Sequence, residues 1–366
     1  MNIDEMKLKA DERAIFALRA LYGKYGYSQY KMSKFEEYDL YVRNKNFLIS
    51  DNIITFTDTN GKLMALKPDV TLSIIKNSKD EADRVEKVYY NENVYRISGS
   101  TKSFREIMQV GLECIGDIDD YSIFEVLMLA AESIKTISSE GELDISHLGI
   151  VSAVLDKIGL FGRDRDSVLS LIGEKNIHDI KTVCRGAGIS DEYAELLKNL
   201  ISIYGKPADV IGKLKNVLGD IIPSSLIDEL DSIVTALDEI GCGDIIKIDF
   251  SVVNDMHYYN GIVFKGFVPG VPTGVLSGGQ YDKLLKKMGK KSRAIGFAVY
   301  LDMLERLTDG EEFDVDTVVL YGDGISLKSL SEKIKELTNN GESVMAVKSV
   351  PENIKYKKLV DLIKGE

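Results

Sequence analysis

Phe104-Arg105-Glu106-Ile107-Met108-Gln109-Val110-Gly111-Leu112-Glu113-Cys114-Ile115-Gly116 alternates along its whole length. Side chains of a β-strand point to opposite faces in turn. Arg105, Ile107, Gln109, Gly111 and Glu113 therefore share one face, and Val110, Leu112 and Cys114 share the other. A cation, an amide and a carboxylate spaced along one side of a strand line a polar cleft when the opposite side is core. A solvent-exposed edge strand would carry the same letters.

Working outward, Val88–Tyr90 and Asn93–Arg96 supply the other arm of a hairpin across the polar loop Ser98–Ser103. Upstream, Phe47–Ser50, Ile53–Asp58 and Lys62–Lys67 read as strands. The turn Thr59-Asn60-Gly61 joins the last two, with Asn-Gly supplying positive φ angles. Pro68 stops the return strand, and Asp69-Val70-Thr71 reads as a helix start. Leu8–Tyr25 has helical spacing and Gly26 ends it. Downstream, a helical insertion is expected over about 140–240, and strands return over 245–303. After Gly310 the texture becomes β-α-β-α: Thr317–Gly322, Ser329–Asn339, Ser343–Val347 and Tyr356–Ile363. The fold expected is α+β, an antiparallel sheet flanked by helices, with domains at 1–308 and 309–366.

Composition narrows the function. The chain has 366 residues, 46 basic and 58 acidic, for a net charge of −12. That acidity argues against gripping nucleic acid, whose phosphates call for a basic surface. Three scattered cysteines (Cys114, Cys184, Cys242) and three histidines (His147, His178, His257) form no disulfide or metal pattern. No metal and no cofactor is expected. No apolar run is long enough to span a membrane. The start, Met1–Arg13, is charged and lacks a secretory apolar region, so the cytoplasm is the expected compartment.

Five segments in order resemble histidyl-tRNA synthetases, over most of residues 1–305. Ala65–Thr71 is similar to their Leu-Arg-Pro-Glu-x-Thr signature, and Phe104–Glu113 to their version of class II motif 2. Tyr258-Tyr259-x-Gly261 and Ser277–Asp282 resemble two histidine-specific segments, and Arg293–Ala298 the start of motif 3. The resemblance implies the class II synthetase fold and a homodimer.

The departures lie on the ATP side. Where the family has Arg-Gly-Leu-Asp-Tyr-Tyr, this chain has Asn254-Asp255-Met256-His257-Tyr258-Tyr259. Met303 stands at the motif 3 arginine, and Ser98 at a motif 2 acid. Neither asparagine nor methionine supplies a permanent positive charge for phosphates. The amino-acid side is kept. Asp69 and Glu113 can hold an ammonium, Thr71 and Gln109 can hydrogen-bond it, and Tyr258, Tyr259 and Tyr281 can wall an imidazole. By resemblance the histidine-binding set is Asp69, Thr71, Arg105, Gln109, Glu113, Tyr258, Tyr259 and Tyr281.

A synthetase-like body without ATP chemistry resembles the regulatory-subunit family of bacterial ATP phosphoribosyltransferases. That implies a non-catalytic role in the first step of histidine biosynthesis, with feedback by histidine. It also implies a hetero-oligomer with the short-form catalytic subunit. The 309–366 module resembles a truncated anticodon-binding domain. A divergent active synthetase and a histidine-independent binding module are the alternatives. The first requires replacement cations such as Lys102 or Arg293.

Overall fold

The computed structural model describes residues 10–45, 48, 53–81, 84–97, 102–253, 258–306 and 313–363. Two compact units are present. The larger spans Asp11–Arg306, and the smaller is described over residues 313–363.

In the larger unit, α1 (Ala10–Lys24) leads to β1 (Ser28–Gln29), β2 (Phe35–Glu37), α2 (Tyr38–Arg43), β3 (Thr55–Thr57), β4 (Leu63–Leu66) and α3 (Thr71–Asn77). Then come the two long strands β5 (Val85–Ile97) and β6 (Phe104–Gly116), α4 (Asp120–Ile137), β7 (Glu142–His147) and α5 (Leu148–Lys157). Helices α6 (Gly162–Gly173), α7 (Ile177–Gly186), α8 (Asp191–Ser202), α9 (Pro207–Leu218) and α10 (Ser224–Glu239) follow, with β8 (Tyr204–Gly205) among them. The unit closes with β9 (Ile246–Asp249), β10 (Ile262–Phe267), β11 (Leu276–Gln280), α11 (Asp282–Lys287) and β12 (Arg293–Tyr300).

Nine strands form one sheet in the order β1-β5-β6-β12-β11-β10-β7-β9-β8. Antiparallel pairing dominates it, and β1–β5 and β7–β9 are parallel. The β5–β6 hairpin holds register from Val85–Gly116 to Ile97–Phe104. Its alternation is the expected one. Val110, Leu112 and Cys114 are fully buried on one face, where α1 packs. Ala14, Leu18 and Tyr22 recur at helical spacing and sink into that side. Tyr22 rests edge-on against Phe297, 5.9 Å between ring centres, and its hydroxyl meets Ser133 Oγ of α4 at 2.9 Å. Gln109 and Glu113 face the opposite way. Gly26 (φ +81°) ends α1 in the left-handed conformation that glycine takes without strain.

A small antiparallel sheet, β2-β4-β3, stands beside α3. Its hairpin turn differs from the expected one. Gly61 has φ +81°, whereas Asn60 is not left-handed. Asp58 Oδ1 closes the loop by accepting the N–H groups of Asn60 and Lys62, both at 2.8 Å. The expected strand Phe47–Ser50 lies outside the described residues except for Leu48.

Two further expectations are corrected. The stretch 140–240 is not helical from its start. Glu142–His147 is β7, deep in the main sheet between β10 and β9. Its polar alternates Asp144 and Ser146 are buried along with Leu143 and Ile145, so period 2 is hidden in the sequence. The smaller unit contains β13 (Val315–Leu320), α12 (Leu327–Asn339), β14 (Val344–Val347) and β15 (Tyr356–Asp361). Tyr356–Ile363 was expected as a helix, yet Tyr356–Asp361 pairs in parallel with β13. Pairing covers an edge of β13 that would otherwise stand open, and tertiary context outweighs local spacing.

Candidate functional site

The site begins where β4 ends. Pro68 cannot donate to a ladder, and the chain turns into α3. Asp69 Oδ1 accepts the N–H of Leu72 at 2.8 Å, capping the helix and fixing its carboxylate at the helix mouth. Thr71, the first residue of α3, then points at β6. Its Oγ1 donates to Glu113 Oε1 at 2.7 Å, and the Tyr281 hydroxyl donates to Glu113 Oε2 at 2.5 Å. Gly296 lies directly opposite Glu113 in the ladder. A Cβ at Gly296 would collide with the Glu113 carboxylate, so this close approach needs glycine.

Three tyrosines complete one wall. Tyr258 is 4.7 Å from Tyr259 and 5.7 Å from Tyr281, ring centre to ring centre. The cavity is also lined by Tyr90, Arg96, Gln109, Ser277, Ala298 and Tyr300. Arg96 Nε donates to the Pro68 carbonyl at 3.0 Å, which ties β5 to the Asp69 segment.

Electrostatics single out the two carboxyl groups. Burial pushes Glu113 up to about 8, against the two hydroxyl bonds, and the charge of Asp69 adds to the rise. Burial also raises Asp69, partly offset by the Leu72 N–H and by Arg96. Tyr90, Tyr258 and Tyr281 are raised by burial too, and remain neutral donors. No ion pair reaches Glu113 among the described residues. A desolvated carboxyl group of this kind gains most from an incoming cation.

Seven of the eight expected residues come together: Asp69, Thr71, Gln109, Glu113, Tyr258, Tyr259 and Tyr281. Arg105 does not. It sits eight residues from Glu113, about 27 Å along an extended strand, and its half-exposed guanidinium lies 3.7 Å from Asp302. Alternation places residues on a face but not at a depth. Tyr90 was missed, although it pairs with Gly111 and so shares the polar face. Of the ATP-side positions, Met303 accepts a bond from Thr273 Oγ1 at 3.5 Å. Ser98 and Asn254–His257 lie outside the described residues. Arg293 is tied to Asp282 (3.5 Å) and the Ile118 carbonyl (2.9 Å).

Comparison with known proteins places this arrangement. The histidyl-tRNA synthetase family model matches residues 2–304. The ATP phosphoribosyltransferase regulatory subunit of Caldanaerobacter subterraneus subsp. tengcongensis is 31% identical over 302 residues, covering 80% of this chain and 78% of that protein. The chain belongs to the ATP phosphoribosyltransferase regulatory subunit family. A second member, from Oceanobacillus iheyensis, is 26% identical over 292 residues, 79% of this chain and 72% of that one. Among solved structures, an ATP phosphoribosyltransferase regulatory subunit/histidyl-tRNA synthetase from Bacillus halodurans matches with TM-score 0.76 at 24% identity, over 96% and 93% of the two chains. Histidyl-tRNA synthetase from Nostoc matches at 0.72 and 16% identity, over 96% and 86%. A chain of the ATP phosphoribosyl transferase complex from Thermotoga maritima matches at 0.62 and 22% identity, over 80% and 97%. The expected synthetase-like fold and family are both borne out.

Proposed function

We propose that this chain is the non-catalytic regulatory subunit of an ATP phosphoribosyltransferase, serving the first step of histidine biosynthesis, and that its cavity binds L-histidine. The observation that carries the ligand is Glu113: wholly buried, held by two hydroxyl groups, and 2.5–2.7 Å from them with no cation paired among the described residues. Histidine brings two basic groups, an ammonium and an imidazole, to a cavity with two carboxyl groups, Asp69 and Glu113. The tyrosine wall suits the imidazole ring, and Arg96 is the lining cation available to the carboxylate. Absence of catalysis is supported by Met303, whose thioether stands where synthetases carry a phosphate-facing arginine. Histidine then regulates by binding one assembly state more tightly than another, since equal affinity shifts nothing.

The proposed partner is the short-form catalytic subunit, on a homodimer of this chain and without nucleic acid. The small sheet supports the homodimer. Phe35 and Phe56 stack edge-on at 5.6 Å on the face they share with Met64, Leu66 and Glu37, whose carboxylate meets Lys62 Nζ at 2.9 Å, while Glu36 turns the other way to Ser73 and Lys76. The two exposed phenylalanine rings are the part of this face that a second copy would cover. A cytoplasmic setting is supported by three buried cysteines, all unpaired. No helix of the described residues is long and apolar enough to cross a membrane.

Reconstitution tests the reading. The chain is mixed with the short-form catalytic subunit of the same genome, and phosphoribosyl-ATP is followed with and without histidine. Activity above that of the catalytic subunit alone, lowered by histidine and left unresponsive by Glu113→Gln, is the expected result. Histidyl-adenylate formed by this chain alone would overturn it in favour of a synthetase. A complex that forms but ignores histidine would leave a scaffold.

A further inference from the structure

The helical segment between β7 and β9 is fastened to the ligand-bearing face of the sheet at one acidic cluster. The pairs Glu113–Gly296, Gly296–Gly279, Gly279–Val263 and Val263–Ser146 form a single row across five strands. Ser146, and Asp144 two residues before it, therefore share the face that carries Glu113. Asp144 is 6% exposed, and its Oδ1 has no hydrogen-bond partner. Ser146 Oγ is fully buried and also lacks one. Buried polar atoms are normally paired, so two orphans side by side mark a place where closure is costly.

The helical segment itself closes over this spot. Lys175, in the turn between α6 and α7, reaches Asp249 Oδ2 at 2.7 Å and lies 5.1 Å from the Tyr204 ring. The Tyr204 hydroxyl donates to Glu142 Oε1 at 2.6 Å. Lys175 holds a left-handed backbone (φ 54°) that a non-glycine residue adopts at a cost. Asp144 thus faces Asp249 from β9, Glu142 from its own strand, Lys175 from the α6–α7 turn and Tyr204 from β8. Lys265 and Lys247 are its register neighbours on β10 and β9, and the Lys265 amine is turned to the Phe267 ring at 5.5 Å. Burial, then the charge of Asp249, push Asp144 up to about 8.

We propose that Asp144, Asp249, Glu142, Lys175 and Tyr204 form a proton-loaded latch that keeps the α6–α9 segment closed on the sheet while Asp144 is protonated and loosens it when Asp144 ionises. With the proton in place, Lys175 balances Asp249 and the cluster carries little excess charge. Without it, Asp144 adds a third carboxylate to a cluster in which Lys175 is already paired with Asp249, and a bare Asp144 oxygen is shut away from water. Lifting Lys175 and Tyr204 wets Asp144 and restores its ordinary affinity for protons. Opening therefore releases one proton to solvent at any pH between about 4 and about 8. The opening equilibrium rises about tenfold per pH unit across that window and is flat above it.

Hydrogen exchange of the full chain between pH 5 and 9 tests the latch. Opening of α7 and α8 is read against α4, after correction for the intrinsic pH dependence of amide exchange. The expected result is a tenfold rise per unit to about pH 8, then a plateau. Asp144→Asn, which stays neutral in the same shape, flattens the profile. Lys175→Met opens the segment more at every pH and keeps the slope. A flat wild-type profile, or an unchanged slope in Asp144→Asn, overturns the proposal. If Asp144→Asn does not fold, the side-chain carboxyl ¹³C titration of the wild type decides. A midpoint near 8 supports the latch, and one near 4 overturns it.

Discussion

At the scale of single residues, Glu113 sets stability against ligand capture. Its proton affinity is raised by folding, so the apo chain binds a proton that the unfolded chain has lost. Stability is full below the ordinary glutamate value and falls as pH rises to about 8. Glu113→Gln removes that loss, and its apo melting temperature at pH 8 should exceed that of the wild type. The same change removes the charge that meets a cation. Calorimetric histidine affinity should fall about 100-fold, in line with the roughly 1.5–3 kcal/mol of a charge-assisted bond. Wild-type affinity should climb with pH toward 8 as the bound cation displaces the proton. Proton release should show as a heat that depends on the buffer. An affinity that is flat between pH 6 and 8 would deny Glu113 this role. Gly296→Ala acts on the same group by volume. The added Cβ meets the carboxylate and the Leu112 carbonyl at 2.5 Å, so histidine binding and melting temperature should fall together.

Elements explain what was legible. The β6 alternation was readable because its two faces differ in chemistry, and it put Gln109 and Glu113 where they stand. It also admitted Arg105, because a face runs the full strand while the cavity occupies only its inner half. β7 was not readable, since both of its faces are buried and the polar one holds the latch acids. β15 was misread because its strand character comes from its neighbour β13. Helix α3 tests two roles of one residue. Asp69 caps the helix through Leu72 and charges the cavity. Asp69→Asn should keep most of the stability and lose histidine affinity. Asp69→Ala should lose both, with about 1 kcal/mol of stability from the cap. Equal stability of the two variants in urea denaturation would remove the cap from the account.

At the scale of the molecule, the family was legible from five segments in order and the resemblance implied a homodimer, whereas the surface it would use was not legible, because a sequence does not show which apolar side chains stay bare. The small sheet carries the exposed face on which the proposed homodimer rests. One face carries Glu36, Thr55, Thr57, Leu63 and the buried Ala65, and the other carries Phe35 (48% exposed), Phe56 (39% exposed), Met64, Leu66 and Glu37. Two exposed phenylalanine rings side by side are more apolar surface than a sheet left in water usually shows. Covering such a patch gains roughly 25 cal/mol per Å² of apolar surface, and a stable interface buries about 800 Å² on each partner. The four side chains are a centre for such an interface rather than the whole of it. Phe56→Lys adds a charge at that centre and touches no residue of the cavity. In sedimentation, the wild type should run as a dimer and Phe56→Lys as a monomer. Histidine affinity should be unchanged if the cavity is complete within one chain. Failure of the variant to stimulate the catalytic subunit, with histidine still bound, would place the need for the dimer in the assembly and not in the ligand site. A wild type that is monomeric at micromolar concentration would refute the homodimer and assign the patch to another partner.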